Sequence, residues 1–159
     1  MPIIVRRADQ YDLPALREMQ AYPVKALVDE HFESQAAGIL IYAVALDAQN
    51  IVGSALLDFT ETDTMPELRN MFVVPGYRRR GIGRALSTWI EDQARSAGHA
   101  AVYLAVDPNN ERAVPLYVSL EYHPTGEHRF VAAPEVEQVP DRELASQHYA
   151  IYKKSLTAR

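Results

Sequence analysis

The chain has 159 residues, 48% of them apolar and 23% charged, which suits a single globular domain with a sizeable hydrophobic core. A net charge of −5 at pH 7 disfavours general nucleic-acid binding, and the lack of cysteine excludes disulfides, thiolate metal sites and cysteine nucleophiles. No apolar run approaches the ~20 residues of a membrane span, and the opening Met1–Arg7 is too short an apolar run for a signal peptide, so a cytoplasmic protein without a membrane partner is expected.

Pro2 to Arg7 reads as a first strand. Asp9 or Asp12 can cap a short helix reaching Gln20, with Leu13, Leu16 and Met19 on one face. Pro23 suits the first turn of a second helix, whose apolar set is Val24, Leu27, Val28, His31 and Phe32, and Gly38 ends it. Ile39 to Leu46 and Ile51 to Phe59 read as strands joined by a hairpin turn at Asp47-Ala48-Gln49-Asn50. Leu68 to Val74 is the next strand, stopped by Pro75-Gly76. A third helix from Ile82 to Ala97 puts Ile82, Leu86, Trp89, Ile90 and Ala94 on one face, with Gly98 as its cap. Ala100 to Val106 is a strand, and Asn109 or Asn110 opens a fourth helix to about Leu120. Two weaker strands follow near Glu127 to Ala132 and His148 to Lys154. Consecutive early strands imply antiparallel hairpins. The later strand-helix-strand unit implies a parallel pair with a right-handed crossover. Together they describe a mixed-sheet α/β domain.

The chemistry concentrates at Tyr77-Arg78-Arg79-Arg80-Gly81-Ile82-Gly83-Arg84. A tight glycine turn between a strand and a helix points backbone N–H groups outward, and the helix end and the arginines add positive charge. Such a turn can hold a phosphate or pyrophosphate. It is not G-x-x-x-x-G-K-[ST], nor G-x-G-x-x-G with a later acidic residue, so neither a P-loop nor a nicotinamide site is supported. The five histidines show no metal-ligand spacing, and no metal is expected. His31 and Trp89 read as core residues.

The turn Arg78-x-x-Gly81-x-Gly83, followed by Asn110-x-x-Ala113-x-x-x-Tyr117, resembles the GNAT superfamily of acetyl-CoA-dependent N-acetyltransferases. The matching passage runs from Pro66 to Tyr122, and the order of elements resembles that fold over nearly the whole chain. The resemblance implies one domain over residues 1–159. It implies an α/β GNAT-like fold with a mixed, mostly antiparallel sheet, about four flanking helices and splayed central parallel strands. It implies acetyl transfer from the co-substrate acetyl-CoA to a primary amine, by direct attack in a ternary complex. The acceptor is expected to be a small-molecule or peptide amine, and the protein a monomer or homodimer. A non-catalytic acyl-CoA sensor of the same fold is the competing reading, and a nucleotide-binding protein unrelated to acyl transfer a third.

By the same resemblance, backbone N–H groups from Arg79, Arg80, Gly81, Ile82, Gly83 and Arg84, beside Arg78, hold the pyrophosphate. Gly81 and Gly83 would let the backbone approach it. The pantetheine arm would pair with strand backbone at Met71, Phe72 and Val73, where an N–H could stabilise an oxyanion. Asn110 would hydrogen-bond the same arm, leaving Asn109 to cap the helix. Tyr117 is the candidate general acid for the departing thiolate, and Glu67 the candidate general base, directly or through water. Asp58, Glu61 and Asp63 could add an acidic mouth around Glu67. Tyr22 and Phe32 are weak candidates for acceptor contact, and the proline-bearing 131–143 segment reads as a loop that shapes the acceptor site or a dimer contact. Two features depart from the family pattern: Glu121-Tyr122 stands where a glycine and an aromatic are common, and Pro115 lies inside the fourth helix, where a kink could aim Tyr117.

Overall fold

The computed structural model describes residues 2–20, 24–61, 63–132, 138–141 and 143–156. Among them, seven strands form one sheet: β1 (Ile3–Arg7), β2 (Leu40–Asp47), β3 (Asn50–Asp58), β4 (Glu67–Val73), β5 (Ala101–Val106), β6 (His123–Phe130) and β7 (His148–Ser155). Their order is β1-β2-β3-β4-β5-β7-β6, and every neighbouring pair is antiparallel except β4 and β5. Four α-helices flank the sheet: α1 (Leu13–Met19), α2 (Val28–Ala36), α3 (Ile82–Ser96) and α4 (Ala113–Ser119).

The near-continuous apolar sequence of β2 follows from cover on both faces. Ile41, Ala43 and Ala45 face the main core under α3, with Ile82, Leu86, Ile90 and Ala94. Leu40, Tyr42, Val44 and Leu46 face a second core with Leu16 of α1 and Val28 of α2. The expected apolar stripe of α3 is therefore buried, although Trp89 is only half-buried at its margin. His31 is buried edge-on to Tyr42, ring centroids 5.7 Å apart. Asp9 caps a short 3-10 turn that precedes α1, accepting the Tyr11 N–H at 2.8 Å. A 3-10 turn over Val24–Leu27 likewise precedes α2, so the second helical segment is two pieces. Tyr22, Pro23 and most of the 131–143 segment's proline-bearing centre lie outside the described residues.

The central opening is set by strand pairing. β4 and β5 share one bridged residue pair, Glu67 with Tyr103, supported by Tyr103 N–H donating to Pro66 O at 3.0 Å. Beyond it the two strands diverge. Among the described residues, Met71 to Val73 have no strand partner on the β5 side, while β3 still pairs on the other. The expected splay is present.

Candidate active site

The candidate anion-binding turn follows the end of β4. Arg79 (φ 64°) and Gly81 (φ 81°) both take the left-handed conformation before α3, and turns that alternate hand in this way can point successive N–H groups at an anion. Gly81 is the N-cap of α3 and offers no capping side chain. The Ala85 N–H donates to Gly81 O at 3.0 Å, so the N–H groups of Ile82, Gly83 and Arg84 precede the first intrahelical bond. Three donors at a helix N-terminus, without a capping oxygen, suit an anion such as a pyrophosphate.

The two glycines serve different ends. A Cβ on Gly81 would meet nothing within 4 Å, so glycine is needed there for its positive φ. A Cβ on Gly83 would lie 3.3 Å from Leu116 Cδ2 and 3.5 Å from Met71 Sδ. The missing side chain of Gly83 thus lets α3 pack against α4 and β4. The arginines also divide. Arg78 turns back to donate to Val73 O at 3.2 Å, and Arg80 lies over the Tyr77 ring at 4.7 Å. Arg79 and Arg84 are exposed. Burial, then the neighbouring Arg112, lowers the pKa of Arg78.

β4 carries a bulge that sequence reading missed. Ser54 pairs with Phe72 and Leu56 with Arg69, so Asn70 and Met71 together face Ala55. Asn70 takes φ 53°, which asparagine tolerates better than most residues, and that tolerance was the available signal.

Asn110, not Asn109, caps the fourth helix. Its Oδ1 accepts the N–H groups of Ala113 at 2.9 Å and Arg112 at 3.2 Å. Asn109 instead donates its amide to Leu144 O at 2.6 Å. The reason lies in Asp107, which is buried: it accepts the Asn109 and Ser146 N–H groups at 2.9 and 2.8 Å, tying residues 138–146 to the end of β5 and drawing Asn109 toward that loop. The cap uses the Asn110 amide oxygen and not its nitrogen.

The regular part of α4 starts at Ala113 because Pro115 cannot donate to Glu111 O. Pro115 then sits in the first turn, where a missing N–H matters least, and no mid-helix kink arises. Glu121 does adopt the left-handed cap (φ 72°), with Glu121 N–H donating to Val118 O and Tyr122 N–H to Tyr117 O, both at 3.0 Å. Tyr117 is half-buried, and burial pushes its hydroxyl up to about 12. It keeps its proton at neutral pH, as a general acid must.

Glu67 is buried and already a multiple acceptor. Its Oε1 receives Thr64 Oγ1 at 2.6 Å and lies 2.7 Å from Arg129 Nη2, while Oε2 receives Arg129 Nη1 at 3.1 Å and lies 3.5 Å from Arg69 Nε. Arg69 also bonds Asp58 at 2.6 Å, and Thr60 caps the same carboxylate at 2.7 Å through its N–H. Burial raises the Asp58 carboxyl pKa, but hydrogen bonds from Thr60 and Arg69 outweigh it, leaving the value below its ordinary range. Asp58 and Glu67 are therefore buried ion-pair partners. The expected open acidic mouth is reduced to half-exposed Glu61 and exposed Asp63. Arg129 carried no sequence signal, since it comes from β6, 62 residues away.

Among the described residues no group of three or more His, Asp or Glu side chains is arranged to hold a metal ion. No helix among them is long and apolar enough to cross a membrane. Two surface hollows, about 300 and 440 Å³, are lined by residues other than those of the turn, Glu67, Asn110 and Tyr117.

A seven-stranded mixed sheet that splays at its parallel pair, with a glycine turn and a helix N-terminus after the splayed strand, defines a mixed α/β fold with an opening at its centre. The acetyltransferase (GNAT) family model matches residues 7–122, and the chain belongs to that family. Among curated proteins, it is 30% identical over 86 residues to the probable N-acetyltransferase 14 of Xenopus tropicalis, covering 54% of this chain and 42% of that one. It is 39% identical over 56 residues to the ribosomal protein bS18-alanine N-acetyltransferase of Escherichia coli K12, covering 35% of this chain and 38% of that one. The match spans well under half of each relative. Among solved structures, the E. coli ribosomal-protein-S18-alanine N-acetyltransferase superposes with a TM-score of 0.73 at 22% identity, covering 99% and 96% of the two chains. A putative acetyltransferase from Salmonella typhimurium, solved with acetyl-CoA, gives 0.73 at 16% identity over 100% and 96%. An aminoglycoside 6′-N-acetyltransferase solved with coenzyme A gives 0.71 at 17% over 98% of each. These similarities support the fold.

Proposed function

We propose that the protein transfers an acetyl group from acetyl-CoA to the primary amine of a small molecule or peptide. Both substrates would be bound together, without a covalent acetyl-enzyme. The observation that carries this is the divergence of β4 from β5 directly beside the uncapped N–H groups of Ile82, Gly83 and Arg84. An extended thioester with a pyrophosphate fits that combination better than a free nucleotide does, because strand-like backbone and an anion cradle lie in line.

Acetyl-CoA supplies the acetyl group as an activated thioester. The turn from Arg78 to Arg84 would hold its pyrophosphate, and the backbone of Met71 to Val73, with the Asn110 amide, its pantetheine arm. Tyr117 holds a proton on Oη and would deliver it to the leaving sulfur. Glu67 would take the amine's proton, through water because both its oxygens already accept hydrogen bonds. The acceptors of the similar proteins, a ribosomal-protein alanine and an aminoglycoside, support an amine in general.

The test is thiol release from acetyl-CoA against a panel of polyamines, aminoglycosides, amino acids and peptides, run beside calorimetric acetyl-CoA titration. Turnover with one amine class, and loss of titratable binding in Gly81→Val, are expected. Valine at φ 81° displaces the turn while its side chain meets open space. Undiminished binding in that variant would refute the assignment of the turn. The clamp on Glu67 favours one second reading, a non-catalytic acyl-CoA sensor, in which acetyl-CoA binds but no amine releases thiol.

A further inference from the structure

Helix α4 carries Tyr117 yet buries none of its own seven residues. Half-buried Ala113, Val114, Leu116 and Tyr117 pack it against the main core, and both of its ends are anchored as well. Asn110 caps the front. The rear is held by Tyr122, which is fully buried just beyond the left-handed cap. Tyr122 grips Tyr117 twice. Its N–H donates to the Tyr117 carbonyl at 3.0 Å, and its ring stands edge-on to the Tyr117 ring, centroids 6.1 Å apart at 69°.

Packing alone would be served by phenylalanine. Instead the Tyr122 Oη donates to Glu91 Oε2 at 3.0 Å, and Lys154 Nζ donates to Glu91 Oε1 at 2.9 Å. Glu91 belongs to α3 and Lys154 to β7, and Glu91 is buried. A buried polar group needs its partners in one geometry, so this network locks the Tyr122 ring where an apolar contact would let it slide. Lys154 also lies 5.8 Å from the Tyr122 ring centroid.

We infer that Tyr122, fixed by Glu91 and Lys154, is a positioning residue that sets the Tyr117 hydroxyl for proton delivery. This rests on the proposed role of Tyr117. The experiment is a double-mutant cycle in kcat and KM with the amine the panel identifies. Tyr122→Phe keeps the ring and removes the anchor, and kcat should fall about tenfold, since sub-ångström misplacement of a catalytic group is costly. The KM for acetyl-CoA should stay within about twofold, because the turn and β4 are untouched. In a Tyr117→Phe background the same change should do nothing further to kcat. Glu91→Leu should reproduce the Tyr122→Phe loss, and Glu91→Gln, which retains an oxygen for the tyrosine O–H, should lose less. An unchanged kcat in Tyr122→Phe, or an equal loss in both backgrounds, overturns the inference. If Tyr117→Phe itself retains full kcat, the general-acid reading fails and takes this inference with it, whatever Tyr122→Phe does.

Discussion

At the scale of single residues, Tyr117 and Glu67 have opposite surroundings, and their variants should behave differently. Burial raises the Tyr117 hydroxyl to about 12, so it stays protonated through neutral and moderately alkaline pH. Its ionisation therefore cannot produce an alkaline fall in rate between pH 7 and 10. Tyr117→Phe should lower kcat about 100-fold at constant acetyl-CoA KM, read by thiol release. Glu67→Gln should lower kcat/KM near neutral pH and recover toward pH 10, because an amine with a pKa near ~10.4 then sheds its own proton. A deficit that stays constant across that range would assign Glu67 to the Arg129 clamp and not to proton transfer. Glu121 makes a separate point about backbone. Its left-handed φ is a strain that glycine lacks, so Glu121→Gly should raise stability by about 1 kcal/mol, measured as a higher urea midpoint with unchanged slope.

Elements bring these residues together through close backbone approaches. Gly53 of β3 lies under α3: a Cβ there would meet Ile82 Cγ2 and Phe72 O at 3.0 Å. The backbone oxygen cannot yield as a side chain can. Gly53→Ala should therefore destabilise by about 1–3 kcal/mol, seen as a lower melting temperature. Pro115→Ala makes the contrasting case. It restores a hydrogen bond to Glu111 in the first turn of α4, away from Tyr117, and acetyl-CoA affinity and turnover should not change. Reduced turnover in that variant would revive a role for the proline in aiming the tyrosine.

For the whole molecule, the sheet separates two cores, and buried ion pairs stitch its parts together. Asp12 and Asp58 illustrate their pH dependence. Burial raises each carboxyl pKa, but hydrogen bonds from Arg6 and the Asp9 N–H in one case, and from Thr60 and Arg69 in the other, bring both below the ordinary value. A carboxyl whose folded pKa is lowered adds stability above its unfolded pKa of about 3.9 and loses it as pH falls through the folded value. Urea midpoints should thus be level near neutrality and fall below about pH 4, and Asp58→Asn should flatten that fall. A midpoint that drops instead between pH 5 and 7 would implicate other groups.

The amino-acid order alone was enough for most elements and for the place of the glycine turn before α3. Hydrophobic period, glycine position and capping residues are local properties, and they act over a few residues. Apolar runs bounded by turn residues identified the strands, the 82–94 stripe identified α3, and Gly98 marked its end. The two linked motifs, Arg78 to Gly83 and Asn110 to Tyr117, carried the family resemblance for the same reason. What tertiary structure decided was which polar groups meet. Glu67 is held by Arg129 from a strand on the far edge of the sheet, Asn110 becomes the cap because Asp107 draws Asn109 toward Leu144, and Gly83 serves helix packing because Leu116 lies against it. Those partners are distant in the chain, and their pairing depends on how sheet and helices close around the cores. No local spacing in the sequence encodes that closure.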